Sequence, residues 1–368
     1  LQGNDATRAH NLVEALVPSL QGPVEEYPLL SAHAALFFGY RSLESGASED
    51  RARCEALLLH AQSHPPDVAG LYAGLAGLGW ITAHLQSLGL GTPRSAPLQR
   101  SIDRALMKLL EEPFEGFDLI DGLAGIGLYA AERRNKDLLA SVLKQLDVLA
   151  VREDRGLHWF TGPDQALPGR PGEGYIDLGV AHGQPGVLPV LGNALLLGVE
   201  EELARRLLEG SLSFLNSMRD ACVFTPSLVT TKGEIKRARL AWCYGEPGWT
   251  AVEQALALAI PLPGSTPRPR EPFQPSKIVD HGLCHGAAGM AHLRARGSRH
   301  DSSSAEEACE WYRLLLDRLP PAEAAASAGT TPGFLEGSSG MALALTAALN
   351  DQAPRWDALL GCTLIAEA

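Results

Sequence analysis

The chain has 368 residues, 45 % hydrophobic and 20 % charged, ample apolar material for a large core, which excludes intrinsic disorder as its main state. Its 43 acidic against 31 basic residues leave a net charge of −12, the wrong sign for a protein that tracks phosphates, so no nucleic-acid partner is expected. Lysine is confined to Lys108, Lys136, Lys144, Lys232, Lys236 and Lys277, and no polybasic run exists to hold an anionic membrane.

The opening LQGNDATRAH has no basic region followed by an apolar one, so it does not read as a secretory signal, and its lack of an initiator Met fits a trimmed or added end. Apolar runs such as MALALTAAL are too short to span a bilayer, so no transmembrane segment is expected. Six cysteines in a chain this long suit a reducing, cytoplasmic compartment better than a disulfide scaffold.

In chain order, the sequence is organised by a repeat. A degenerate first copy, LLSAHAALFFGY, has His33 and Leu36 where later copies have glycines. Six full copies of Gly-x-x-Gly follow: LYAGLAGLGW (Gly74, Gly77), LIDGLAGIGLYAAE (Gly122, Gly125), GVAHGQPGVLPVL (Gly183, Gly186), WCYGEPGWTAVEQAL (Gly245, Gly248), LCHGAAGMAHL (Gly286, Gly289) and FLEGSSGMALAL (Gly337, Gly340). Each opens a nearly uncharged stretch with apolar residues at helical spacing. Glycine costs a helix about 1 kcal/mol against alanine, so a pair at one offset six times over needs a reason. Close approach of backbones near the starts of tightly packed helices is the reason expected. Between the copies lie amphipathic segments, ARCEALLLHAQS, LQRSIDRALMKLLEE, KDLLASVLKQLDVLAVRE, EELARRLLEGSLSFLNSM and AEEACEWYRLLLDRL, which read as outer helices. The pattern predicts an all-α fold: a closed α/α toroid, or barrel, of about seven helical hairpins, forming one domain over residues 1–368. Two stretches break the rhythm and read as extended loops or hairpins, 151–177 and 219–240, the latter with a strand pair in CVFTPSLVTT and EIKRARL. Residues 261–280 read as a proline-rich connection.

Corresponding positions of successive repeats share one face of such a ring. Four starts carry polar chemistry there: Asp118 and Asp121 before Gly122, His182 before Gly183, Cys243 before Gly245, and Cys284-His285 before Gly286. Two cysteines and a histidine suit Zn²⁺, and three protein ligands leave the fourth tetrahedral position open, as in catalytic rather than structural zinc. A single cysteine in such a chain is more often a small core residue; matching repeat positions for all three weigh the other way. Cys54, Cys222, Cys309 and Cys362 lie off the repeat starts and read as core or surface residues, and His33, His84, His281 and His292 as packing or capping residues. His182 reads as a general acid/base or as a buried structural histidine. Asp118 or Asp121 can hold such a histidine by a hydrogen bond, and either can cap a helix.

On these motifs, DLIDGLAGIG, GVAHGQPG, AWCYGEPGW and GLCHGAAG, the sequence resembles the lanthionine synthetase C-like proteins, the lanthipeptide cyclases, nearly end to end. The family fold is an α/α toroid of seven hairpins. The resemblance implies that Cys243, Cys284 and His285 bind zinc, that His182 is the catalytic histidine, and that Asp118 is the aspartate of a D-x-x-[DE]-G segment. It also places Arg239 and Tyr244 at active-site positions. AWCYGEPG is similar to the stand-alone cyclases of class I systems, and the intact Cys-Cys-His set sets the chain apart from cyclases that lack zinc ligands.

The reaction implied is intramolecular thioether formation in a precursor peptide of leader and core. A cysteine thiolate of the peptide, held on zinc, adds to the β-carbon of dehydroalanine or dehydrobutyrine, and the enolate is protonated at the α-carbon to give lanthionine or methyllanthionine. Helix N-termini at the same mouth are expected to steady the developing charge, with Arg239. Implied partners are a separate dehydratase and an export transporter, which would bring the chain to the periphery of the membrane. Three rivals are weighed: a zinc- and glutathione-binding relative that forms no rings, a zinc hydrolase with water in the open position, and an α/α-barrel glycosidase, which leaves the Cys-Cys-His set unexplained.

Overall fold

The computed structural model describes residues 1–261, 273–278, 280–297, 302–326, 331–350 and 354–365. It is helical throughout, apart from five short strands among the described residues. Of the proline-rich stretch 261–280, residues 262–272 and 279 lie outside the described residues; the remainder holds one short turn, Pro275–Lys277. The chain divides into two compact units, each drawn from separate stretches of sequence.

The first unit comprises Leu1–Asp67, Ile81–Gln99 and Glu271–Trp356. Its first hairpin pairs Pro28–Ser45 with Ser48–Ser63. Proline at the helix start and Gly46 in the left-handed region (φ 69°) just past its end set the boundaries, so the chain reverses within two residues. Arg41 Nε donates to the buried Asp50 carboxylate at 2.8 Å and ties the two helices together. Ala287–Gly297 pairs likewise with Ser302–Arg318. Ser338–Leu349 packs between the two inner helices Pro28–Ser45 and Ala287–Gly297. Its outer partner is the first helix of the chain, Gly3–Leu16, which presents Ala9, Leu12, Val13 and Leu16 inward. The last inner helix is therefore completed from the N-terminal end, a pairing the sequence repeat did not reveal.

The second unit comprises Val68–Trp80, Arg100–Arg270 and Asp357–Ala368. Leu123–Glu132 pairs with Lys136–Leu149, and Leu188–Leu196 with Glu201–Asp220. Every residue from Leu123 to Ala131 is buried, which is why these stretches tolerate no charge on any face. The outer helices are one-sided; Lys136–Leu149 buries Leu138, Leu139, Val142, Leu143 and Leu146 and starts on Asn135, whose side chain accepts from the Leu138 N–H. Glu246–Ala259 packs on Leu188–Leu196. The two expected irregular stretches hold the strands. Val151–Glu153 pairs with Gly156–His158, and Pro226–Thr230 with Ile235–Arg237, the latter as the sequence suggested. Tyr175–Asp177 adds to the other side of Pro226–Thr230, placing Asp177 opposite Leu228.

The inner helices begin in one recurring way. The first three N–H groups of Leu123–Glu132 donate to carbonyls seven residues earlier: Leu123 to Gly116, Ala124 to Phe117 and Gly125 to Asp118. The same three bonds recur at Leu75–Gly77 and at Ala287–Gly289. The donors left over at a helix start are thus satisfied by the chain's own preceding loop. This also explains the glycine pair. A Cβ on Gly122 would lie 2.3 Å from the Asp118 nitrogen, and one on Gly289 would lie 1.9 Å from the Leu283 oxygen. The expected close approach of backbones near the helix starts is thus made between each start and its own preceding loop. In these three repeats the N–H groups are already committed, so the expected stabilisation of a bound anion by helix starts does not hold there.

Successive loops are also laced to one another. In the second unit Leu71 N–H donates to Ile120 O at 2.8 Å and Leu119 N–H to Ala181 O at 3.1 Å; in the first, Leu283 N–H donates to Leu335 O at 2.7 Å. This lacing sets the residue four before one repeat's first glycine against the residue just before the next repeat's. A Cβ on Gly70 would meet the Asp121 carboxylate at 2.6 Å, and one on Gly179 would meet the Tyr244 ring at 2.5 Å. In the third repeat that position carries a carboxylate instead of glycine, and its neighbour is His182.

Candidate active site and metal centre

The second unit holds Asp118, His182, Arg239, Cys243 and Tyr244. Asp118 Oδ2 lies 2.6 Å from His182 Nδ1. Its other oxygen accepts the Asp121 backbone N–H at 2.9 Å, so both carboxylate oxygens are fixed. The repeat-to-repeat register thus selects Asp118 over Asp121 as the partner of His182. With Nδ1 engaged, Nε2 is the nitrogen presented to a reactant. Burial works against charge on the imidazole, but the hydrogen bond and charge of Asp118, with Asp177 and Asp121 behind it, outweigh it and hold the pKa above the ordinary histidine value. Asp121 is itself raised by burial and by repulsion from Asp118.

Tyr244 is buried, and its hydroxyl donates to Asp177 Oδ2 at 2.7 Å. Gly179 N–H donates to Asp177 Oδ1 at 2.8 Å. Asp177 has no solvent exposure, and burial pushes its pKa up to about 6 against the pull of these two donors. The Arg170 guanidinium stacks 4.4 Å from the centre of the Tyr244 ring. Sequence reasoning missed Asp177; it sits inside a stretch read only as a loop, six residues before the Gly183 that marks the repeat. Arg239 Nη2 donates to Cys243 Sγ at 3.0 Å, a charge-assisted contact that favours negative charge on sulfur.

The first unit holds Cys284 and His285. A third residue joins them: ligand atoms of Cys284, His285 and Glu336 all lie within 4.8 Å of one another. His285 Nε2 is 3.5 Å from Asp280 Oδ2 and 3.9 Å from Glu336 Oε1. His285 Nδ1 is buried with no hydrogen-bond partner among the described residues. A thiol, an imidazole with an orphaned buried nitrogen and a carboxylate suit a borderline-soft divalent ion, and the donor set fits Zn²⁺. Glu336 occupies in the seventh repeat the position His285 holds in the sixth, but a lone glutamate before a glycine gave no signal in the sequence.

The residues set aside in the sequence behave as structural ones. His84 Nε2 lies 2.8 Å from the Tyr40 hydroxyl, and His292 stacks on Trp356 at 4.6 Å. His33 is buried, and desolvation lowers its pKa to about 4. Burial pushes the Cys54 thiol up to about 12, and Cys222 Sγ donates to the Met218 and Phe224 carbonyls. Among the described residues no helix is long and apolar enough to cross a membrane.

Comparison with known proteins gives three findings. A family model described as lanthionine synthetase C-like protein matches residues 32–360. A solved structure, nisin cyclase, superposes with a TM-score of 0.70 over 98 % of this chain and 98 % of its own, at 18 % sequence identity. That likeness is one of fold, and it agrees with the all-α, α/α-toroid expectation. No curated protein sequence matches.

Proposed function

The chain belongs to the lanthionine synthetase C-like family, and on that premise we propose that it is a zinc-dependent lanthipeptide cyclase acting as a single catalytic domain on a dehydrated precursor peptide. The observation that carries the reading is the 2.6 Å contact between Asp118 and His182, in the same repeat register that brings Cys284, His285 and Glu336 together. The structural neighbour, nisin cyclase, is by its name a cyclase, which supports the same class of reaction.

Zinc, held by Cys243, Cys284 and His285, would supply a Lewis acid that keeps a peptide sulfur ionised at neutral pH. The chain's own residues do the rest. His182 is the proton donor to the α-carbon: its raised pKa keeps a share of the ring as imidazolium near neutrality, and Asp118 fixes Nε2 as the nitrogen that delivers the proton. Arg239 places a guanidinium on the Cys243 sulfur, where its positive charge favours the thiolate form. Tyr244 has its hydroxyl proton committed to Asp177 and serves as a fixed wall rather than as an acid. A dehydratase upstream, an exporter downstream and a cytoplasmic setting belong to the same proposal.

The test is incubation of the metal-loaded protein with a cysteine-containing peptide bearing dehydroalanine. Free thiol is lost at constant mass if a thioether ring forms. A mass gain of one water points to hydrolysis instead, and bound but unreacted thiol to a thiol-binding protein. His182→Asn should keep its metal and lose ring formation; cyclisation at the wild-type rate in that variant refutes the proton-donor role.

A further inference from the structure

Glu336 is 71 % exposed at its side chain, yet its backbone is not free to wander. Leu283 N–H and Cys284 N–H both donate to the Leu335 carbonyl, at 2.7 and 2.9 Å. Gly282 lies so close beneath that a Cβ there would come within 2.9 Å of Glu336 Cα. The loop bearing Glu336 is therefore clamped to the loop bearing Cys284 and His285. Its carboxylate stays beside their donor atoms although little else packs against it. In the corresponding positions of earlier repeats stand Ala73, Asp121, His182, Tyr244 and His285, so this is the position each repeat uses to face its neighbour.

We infer that Glu336 is a resting-state ligand of the metal centre, occupying the coordination position that an incoming substrate sulfur takes. The inference rests on the zinc reading above and adds an exchange step to it. A carboxylate oxygen is a harder, weaker partner for Zn²⁺ than a thiolate sulfur, so it would hold a ligand position beside Cys284 and His285 when no thiol is present and yield to one that arrives. In the exchange the carboxylate leaves the metal, the sulfur joins it, and the thiol proton passes to solvent; no oxidation state changes. The arrangement keeps water from resting on an open metal until a thiol arrives. It also explains a carboxylate held at the mouth of the site by backbone bonds rather than by burial.

The test uses Co²⁺ as a spectroscopic probe in the full-length protein, wild type against Glu336→Ala and Glu336→Gln. Loss of a ligand should weaken Co²⁺ binding about tenfold or more in competition with a chelator. It should also shift the d–d absorption, and lower by about tenfold the concentration of benzyl mercaptan that half-saturates the sulfur-to-cobalt band, since no carboxylate has to leave. Superimposable spectra and equal thiol half-saturation in wild type and both variants overturn the inference while leaving the zinc reading intact. A wild-type protein that takes up no Co²⁺ overturns both. Glu336→Gln guards against misfolding: it keeps the side-chain volume at an exposed site and removes the charged ligand.

Discussion

Replacing Asp118 by Asn tests the coupling between the repeat register and the proposed chemistry. Asp118 accepts two hydrogen bonds, one from the Asp121 N–H and one at His182 Nδ1. An amide has only one oxygen, so Asp118→Asn can keep one bond and must set an NH2 group against the other partner. If the amide nitrogen faces His182, Nδ1 becomes an acceptor, the proton moves to Nε2 and the neutral ring is favoured. Loss of a hydrogen bond to a charged group is worth about 1.5–3 kcal/mol, and both side chains here are mostly buried (23 % and 19 % exposed), so little of it is screened away. The same energy taken from the transition state corresponds to a cyclisation rate lower by about 10- to 150-fold. The pH dependence carries a sign. His182 has its folded pKa raised, so the stability it draws from Asp118 is fully present below the ordinary histidine value and is lost as pH rises through the raised one. Urea unfolding should therefore show a larger loss of stability for the Asn variant at pH 6 than at pH 9, and single-turnover cyclisation should show the basic limb of the rate profile moved to lower pH. An equal stability loss at both pH values, with a rate within twofold of wild type, would refute the reasoning.

Two further outcomes follow from the same geometry. Gly289→Ala puts a Cβ against the Leu283 carbonyl, next to Cys284; it should cost about 1–3 kcal/mol or more by urea unfolding and lower metal content after dialysis, because the backbone rather than a flexible side chain must move. Asp177 has a folded pKa of about 6, raised by burial, so its contribution to stability is greatest below the unfolded carboxylate value and falls as pH rises toward 6. Asp177→Asn should flatten the unfolding midpoint between pH 4 and 7; a wild-type slope across that window in the variant would show that the carboxylate titrates elsewhere.

The helical starts were legible because a glycine pair at fixed offset is a costly pattern that survives only for a backbone reason. What the glycines do was less legible. Their spacing signals close approach, but a carbonyl six residues back in the same chain, as Leu283 is from Gly289, cannot be told from a neighbouring helix without coordinates. The residue pattern left Asp118 and Asp121 open, and only the resemblance favoured Asp118, for a related reason: both precede Gly122, and the Leu119-to-Ala181 backbone bond sets which of them meets His182. Asp177 and Glu336 escaped notice because a single acidic residue in a loop has no period and no partner in sequence. The helix Gly3–Leu16 escaped because it completes a pair whose other member lies more than three hundred residues away.

That last pairing bears on how the molecule is made. A ribosome releases Gly3–Leu16 more than three hundred residues before Ser338–Leu349, so the earlier helix must wait through the synthesis of that whole span with Leu12, Val13 and Leu16 lacking their final cover. Contacts between such distant stretches form late, after slow loop closure. A chain that stalls before Ser338–Leu349 emerges keeps the apolar face of Gly3–Leu16 uncovered, however well the intervening stretches have folded.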